Sequence, residues 1–319
     1  MAIALDIFRA LADATRLRIM ALLRSMELSV GELAQVLGQS QPRVSRHVKI
    51  LCDAGLAERR KEGSWVFVAL GQAGRVEPVL ASLDAWAIHE PDHWRLADAA
   101  RLAAVRADRA SAAAGWFESN AGQWDAIRSL HIAESEVEQA MGAVLGDDKV
   151  GQLIDIGTGT GRMLELFASR ADRALGIDRS SEMLRLARAK LSERGLANAE
   201  LRQADLYALP LPDGAADVAI IHHVLHFAQQ PGAAIAEAGR VLAPGGRLLI
   251  ADFAPHEREE LRTRDAHARL GFSDEQIIGW FGNAGLAPAR IETLEGGELT
   301  VKLWLGRKLG EGLREVKAA

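Results

Sequence analysis

Residues 151–161, Gly151-Gln-Leu-Ile-Asp155-Ile-Gly157-Thr158-Gly159-Thr-Gly161, join a short apolar run to glycines at alternate positions. Such a run reads as a buried strand, and glycines at its exit allow turns and close backbone approaches that a Cβ would forbid. A second apolar run, 174–177, ends in Asp178, 21 residues past Gly157. Strand, glycine loop, helix, strand and acidic end form the local plan of a pocket for a nucleoside. From about residue 150 the chain is thereby restricted to a parallel sheet flanked by helices.

The rest of that region keeps the alternation. Runs 152–156, 174–177, 217–221 and 247–252 read as strands, and 161–170, 181–194 and 232–242 as helices, with Pro244-Gly245-Gly246 punctuating the last helix before its strand. The dinucleotide fingerprint would place glycine at 162, where Arg162 stands, and no lysine follows as a phosphate-binding loop would require.

The first 75 residues differ in charge. They carry 11 Lys and Arg against 7 Asp and Glu, whereas residues 76–319 carry 27 against 36. A cationic segment on an acidic body suits a module that binds a polyanion. Ser29-Val-Gly-Glu32 is a capping box opening a short helix with Leu33, Val36 and Leu37 on its apolar side. Gly38-Gln39-Ser40-Gln41 reads as a turn, and Pro42 suits the first turn of a second helix. In that helix Val44, Val48 and Leu51 share one face, while Gln41, Arg43, Ser45, Arg46 and Lys49 occupy the others, and Gly55 ends it. A helix presenting Arg, Ser and Gln after a tight turn is the geometry that enters a DNA major groove. Residues 56–61 and 64–70 form a hairpin around Glu62-Gly63, with Arg59, Arg60 and Lys61 near its tip as a phosphate-contacting wing.

On Leu11-Ala-Asp13-Ala-Thr15-Arg16-Leu-Arg18-Ile and Gln39-Ser-Gln-Pro42-Arg-Val-Ser45-Arg46-His47, residues 6–70 resemble the ArsR/SmtB winged-helix repressors. The resemblance implies a homodimer built on the first helix and the helix at about 75–89, and DNA contacts from Gln39, Ser40, Gln41, Arg43, Ser45, Arg46, His47, Lys49, Arg59, Arg60 and Lys61. Many such repressors sense thiophilic metals through cysteines before the turn, where this chain has Ser29-Val30-Gly31. Its one cysteine, Cys52, makes neither a disulfide nor a thiolate cage. Asp84, His89, Glu90, Asp92 and His93 offer an N/O zinc site or a solvated helix end; no metal is assigned.

Residues 110–308 resemble class I S-adenosylmethionine-dependent methyltransferases. Asp155 to Gly161 matches their first motif, Asp178-Arg179 the ribose-binding end of strand 2, Gln203-Ala-Asp205-Leu206 the adenine segment, Asp217–Leu225 strand 4 and its exit, and Arg240–Ile250 the crossover into strand 5. The cofactor residues so implied are Asp155, Gly157, Thr158, Gly159, Gly161, Asp178, Arg179, Met183, Asp205, Leu206 and His222. Trp116-Phe117 and Trp124-Asp125 either close the pocket as a helical cap or pack as core aromatics of a connector. The expected architecture is α/β: a winged helix-turn-helix over 1–90, a helical linker and cap over 91–145, a Rossmann-like doubly wound methyltransferase domain over 146–308, and a tail over 309–319.

Methyl transfer is an in-line displacement that rests on proximity and orientation, with a neutral base assisting. His222 and His223, with His226 beyond them, stand where an acceptor would enter. The run Ile221-His222-His223-Val224 replaces the Asn/Asp-Pro-Pro-aromatic motif of DNA amino methylation, Cys52 lies in the reader helix rather than at a cytosine, and arsenite methylation needs several cysteines. A small-molecule acceptor, as for the ubiquinone/menaquinone-type enzymes, stays open. The two resemblances together imply a homodimeric DNA-binding regulator that binds S-adenosylmethionine or S-adenosylhomocysteine, or an active methyltransferase on a small molecule whose winged helix serves autoregulation or dimerisation. No apolar run approaches the roughly 20 residues of a membrane helix, and the start of the chain lacks a secretory pattern; a cytoplasmic protein without a membrane partner is expected.

Overall fold

The computed structural model describes residues 2–62, 65–87, 93–120, 134–146, 149–295 and 297–310. The chain divides into two compact units, Met1–Ser111 and Ala112–Ala319.

In the first unit, α1 (Ala2–Leu11) leads into α2 (Ala14–Ser25), whose N-cap Asp13 accepts the backbone N–H groups of Thr15 and Arg16. The short strand β1 (Leu28–Ser29) precedes α3 (Val30–Leu37). The capping box read from the sequence is formed: Ser29 Oγ accepts from Glu32 N, and the Glu32 carboxylate accepts from Ser29 N. Gly38 then takes the left-handed conformation (φ 64°) that ends α3. Next come α4 (Gln41–Asp53), with Pro42 in its first turn, β2 (Ala57–Glu62), β3 (Trp65–Leu70), α5 (Ala73–Ala87) and, as far as Ser111, α6 (His93–Asn120). The three strands form an antiparallel sheet in the order β1-β3-β2. Val44, Val48 and Leu51 are fully buried in a core with Ile19, Met20 and Leu33, as the i, i+4, i+7 pattern requires. Arg18 grips the buried Asp98 of α6 through two hydrogen bonds, 2.7 and 2.6 Å, a bidentate arrangement that fixes direction as well as distance.

The second unit begins with α7 (Glu134–Leu145) and β4 (Gly151–Ile156), followed by α8 (Arg162–Phe167), β5 (Ala171–Asp178), α9 (Ser181–Glu193), β6 (Ala199–Gln203), β7 (Ala216–His222), α10 (Pro231–Val241) and β8 (Leu242–Phe253). It closes with α11 (Glu260–Arg264), α12 (Asp274–Asn283), β9 (Leu286–Leu294) and β10 (Val301–Lys308). The sheet order is β6-β5-β4-β7-β8-β10-β9. The first five strands are mutually parallel, and β10 runs antiparallel between β8 and β9. Alternate residues serve opposite faces: Leu153, Val218, Ile220 and Leu249 pack in one core, and Ile154, Ala219, Ile221 and Leu248 in the other. The chain winds outward from β4 through β5 to β6, then restarts at β7 on the other side. Strand order therefore reverses between β4 and β7, and the crevice beyond their carboxyl ends is where such sheets take ligands.

Two boundaries differ from the sequence reading. The helix expected over 161–170 stops at Phe167 and finishes as a 3₁₀ turn, Ala168–Arg170. Pro244-Gly245-Gly246 lies inside β8 rather than ahead of it, with Gly245 at φ 80°.

Candidate functional site

The glycine loop after β4 is drawn over the end of β5. Gly157 N and Thr158 N both donate to Ile177 O, at 2.7 and 2.9 Å, and Gly161 N closes the turn onto Thr158 O at 2.8 Å. Asp155 is buried beneath, its carboxylate accepting from Thr158 Oγ1 at 2.6 Å; it shapes the loop from below. Gly157, Gly159 and Gly161 all have positive φ, 77°, 52° and 87°. A Cβ on Gly157 would come within 2.5 Å of Val224 Cγ2, so the bare glycine backbone of the β4 loop lies directly against the Val224 side chain beyond β7.

Asp178 closes the far side. Its carboxylate accepts Gly159 N at 2.9 Å and Ser180 N at 2.8 Å. Burial pushes its pKa up, opposed by the backbone N–H groups of Ser180, Gly159 and Arg179. The segment after β6 is tied alongside: Ala204 N donates to Asp178 O at 3.1 Å, and Gln203 Nε2 to Arg179 O at 2.9 Å. Asp205 caps a small turn through Tyr207 N, Leu206 is half-buried, Arg179 is exposed, and Met183 is buried at the start of α9. The glycine loop, Asp178 and the 203–206 segment thus stand together around one crevice.

His222 and His223 lie at the exit of β7, both buried. His222 Nε2 is 3.7 Å from Glu134 Oε2 at the start of α7. His223 holds φ 52° and donates its N–H to Ala251 O at 2.8 Å. His226 Nδ1 is 2.7 Å from Asp252 Oδ1, in a pair shielded from water on all sides. Burial raises the Asp252 pKa to about 6, against the pull of His223 and of backbone N–H groups. Phe253 and His267 pack their rings against His226, and His256 packs on both in turn. Glu134, Asp252, His256 and His267 were missed in the sequence. Asp252 sits inside the apolar run Leu248–Phe253, and the others lie far from the glycine motif in the chain.

In the first unit, the α4 residues divide into two groups. Gln41, Arg43 and Arg46 are exposed, as is Ser40, whose hydroxyl makes no capping bond. The side chains of Arg43, Arg46 and Lys61 have no hydrogen bond or ion pair among the described residues. The others have partners on the protein: Gln39 Nε2 donates to Thr15 Oγ1 at 3.1 Å, His47 Nδ1 is 3.6 Å from Asp13 Oδ1, and the exposed Lys49 pairs with Asp53 one turn on at 2.8 Å. On the wing strand β2, Arg59 donates to Ser45 O at 2.6 Å, and Arg60 forms an ion pair with Glu27 at 2.6 Å. Burial pushes the Cys52 thiol up, away from thiolate chemistry. Of the residues weighed for zinc, Asp84 pairs with Arg24 at 2.5 Å. His89, Glu90, Asp92 and the His93 side chain lie outside the described residues, as do Trp124, Asp125 and the side chains of Trp116 and Phe117.

Residues 154–250 match the family described as "Methyltransferase domain", and residues 13–59 match "Bacterial regulatory protein, arsR family". Over 151 residues the chain is 32% identical to the phosphatidylethanolamine N-methyltransferase of Cereibacter sphaeroides, spanning 46% of this chain and 72% of that protein. The chain belongs to the S-adenosylmethionine-dependent methyltransferases, with an arsR-family helix-turn-helix at its N-terminus. Over 226 residues it is 28% identical to the ubiquinone/menaquinone biosynthesis C-methyltransferase UbiE of Teredinibacter turnerae, spanning 60% of this chain and 90% of that one. The solved YcgJ protein of Bacillus subtilis shares the fold, with a TM-score of 0.50 at 20% identity over 55% of this chain and 99% of that one. S-adenosylmethionine is the cofactor of the methyltransferase domain. The crevice fits it: a loop of three positive-φ glycines, one of which (Gly157) would jam a Cβ against Val224, and a carboxylate at the end of β5 are a backbone cradle and an acceptor for hydroxyls.

Proposed function

We propose that this protein is a homodimeric DNA-binding regulator whose methyltransferase domain binds S-adenosylmethionine or S-adenosylhomocysteine, and whose operator affinity responds to that ligand. The observation that carries the reading is the exposed pair Arg43 and Arg46 on α4, beside the uncapped Ser40 hydroxyl. Two guanidiniums held on a rigid helix supply phosphate attraction and base-edge contacts together. Lys61 adds a cation on the wing, while Arg59 and Arg60 brace it. Dimerisation is supported by Leu5 and Phe8, 51% and 65% exposed on α1, a costly display of apolar surface unless a second copy covers it.

In the crevice, the glycine loop receives the amino-acid part of the ligand, Asp178 with Arg179 the ribose, and Asp205 and Leu206 the adenine. Ligand changes operator affinity only as far as its own affinity differs between the DNA-competent and incompetent dimers. The test is a titration of the protein's own promoter DNA with each adenosyl species. A shift with either supports the sensor, and its sign separates corepressor from inducer. DNA binding indifferent to both would remove it.

The buried His226–Asp252 pair favours a second reading, an active methyltransferase on a small-molecule acceptor. The cofactor supplies an electrophilic methyl group. An imidazole whose Nδ1 is fixed by a carboxylate can take the acceptor's proton at Nε2. Production of S-adenosylhomocysteine only when an acceptor is added would establish it.

A further inference from the structure

We infer that His223, His226 and Asp252 form a binding site for a divalent cation of the zinc class. One donor atom from each lies within 4.8 Å of the others, and all three side chains are buried, Asp252 completely. His223 follows β7, His226 sits in the 3₁₀ turn Leu225–Phe227, and Asp252 is near the end of β8. Two imidazoles and one carboxylate suit zinc or cobalt and leave a coordination position for a fourth ligand.

Three features distinguish this cluster from ordinary core packing. A fully buried carboxylate is costly unless a cation faces it, and among the described residues the side-chain partner of Asp252 is imidazole rather than lysine or arginine. His223 is held at φ 52°, a conformation that stores about 1–3 kcal/mol in a non-glycine residue and that gathers at functional sites. The backbone around the donors is fixed as well: His226 N and Phe253 N both donate to the Asp252 carboxylate, and Ala268 N and Arg269 N both donate to His226 O. Such outer contacts orient ligands before the metal arrives. In the metal-free chain the 2.7 Å contact between His226 and Asp252 holds a proton; binding of the cation displaces that proton to solvent. His223 and His226 follow the carboxyl end of β7, so a cation held there would lie at the end of the sheet where the crevice opens and would polarise a hydroxyl or thiol brought to it. The inference is independent of the DNA-binding reading.

Full-length protein stripped with a chelator is titrated with Zn²⁺ by calorimetry and with Co²⁺ by visible absorption. One equivalent per chain is expected, with a cobalt spectrum of nitrogen and oxygen ligation. In long-range ¹H–¹⁵N spectra, zinc should move the resonances of two of the nine histidines far more than the rest. Asp252→Asn and His226→Gln should each weaken zinc by more than about tenfold, while His47→Gln, in the other unit, keeps full affinity. Wild-type spectra decide the matter if a core variant fails to fold. Absence of saturable binding, perturbation confined to other histidines, or retention of zinc by folded Asp252→Asn and His226→Gln would overturn the assignment.

Discussion

The two units place their working polar groups on opposite sides of the solvent boundary. On α4, Arg43 and Arg46 are exposed while Val44, Val48 and Leu51 beneath them are fully buried. In the methyltransferase domain Asp155, Thr158, His222, His223 and Asp252 are all buried, each set by contacts from another strand or loop. A surface that meets a polyanion needs charge on a stiff support, and an amphipathic helix supplies both from a dozen consecutive residues. A pocket that encloses a small cofactor needs polar groups already desolvated and aimed, and these come from distant parts of the chain. Damage to the crevice should therefore be steric and complete, and damage to the helix face electrostatic and salt-dependent.

The largest effect expected is from Gly157→Ala. The new methyl would sit 2.5 Å from Val224 at φ 77°, so the loop cannot keep its place over β5. Binding of S-adenosylmethionine should vanish in calorimetry while the helix-turn-helix unit keeps the DNA affinity of the ligand-free wild type, and that affinity no longer responds to ligand. Simultaneous loss of both would show that the units do not work separately. The converse is Arg43→Ala with Arg46→Ala. Operator binding should be abolished at physiological salt, with any residual binding showing a shallower salt dependence because fewer phosphates are neutralised. Cofactor affinity should stay unchanged, and its loss would contradict the division of labour.

The same contrast explains what was legible beforehand. The capping box, the buried stripe of α4 and the strands β4, β5, β7 and β8 follow local periodicity, which a sequence displays directly. The strand β6, Ala-Glu-Leu-Arg-Gln, and the outermost strand β9 lie at the two sheet edges, half-exposed and polar enough to hide among loops. β10 is buried between β8 and β9 but follows the last recognised motif. The crevice was legible where its residues are tied to glycines, from Gly157 to Asp178. At the exit of β7 only His222, His223 and His226 were legible, because Asp252, His256 and His267 gather with them only once β8 is laid beside β7. The cation site inferred for His223, His226 and Asp252 hides in the sequence for the same reason, since sheet register and not a short motif brings Asp252 to the two histidines. His47, Gln39 and Arg60 look like DNA contacts by position, yet each side chain meets a protein partner.

A smaller effect separates cradle from anchor. Asp178→Ala removes the carboxylate that accepts Gly159 N and Ser180 N, together with an acceptor for the ribose hydroxyls. Adenosyl-ligand binding should weaken by roughly 1–3 kcal/mol, the scale of a lost charge-assisted hydrogen bond. Calorimetry with S-adenosylhomocysteine checks it, and an unchanged titration would move the ribose elsewhere.

The smallest effect probes the support rather than the surface. Ser29→Ala removes one half of the capping box, leaving Glu32 N without its side-chain acceptor while the Glu32 carboxylate still reaches Ser29 N. Loss of such a cap costs about 1 kcal/mol. Because α3 packs on α4 through Leu33 and Val36, that cost should appear as a slightly lower unfolding midpoint of the helix-turn-helix unit. The arginines on α4 remain exposed on an intact stripe, so DNA affinity below the transition should hold. If DNA affinity instead fell as far as it does for the arginine variant, the recognition face would depend on α3 geometry and not on charge alone.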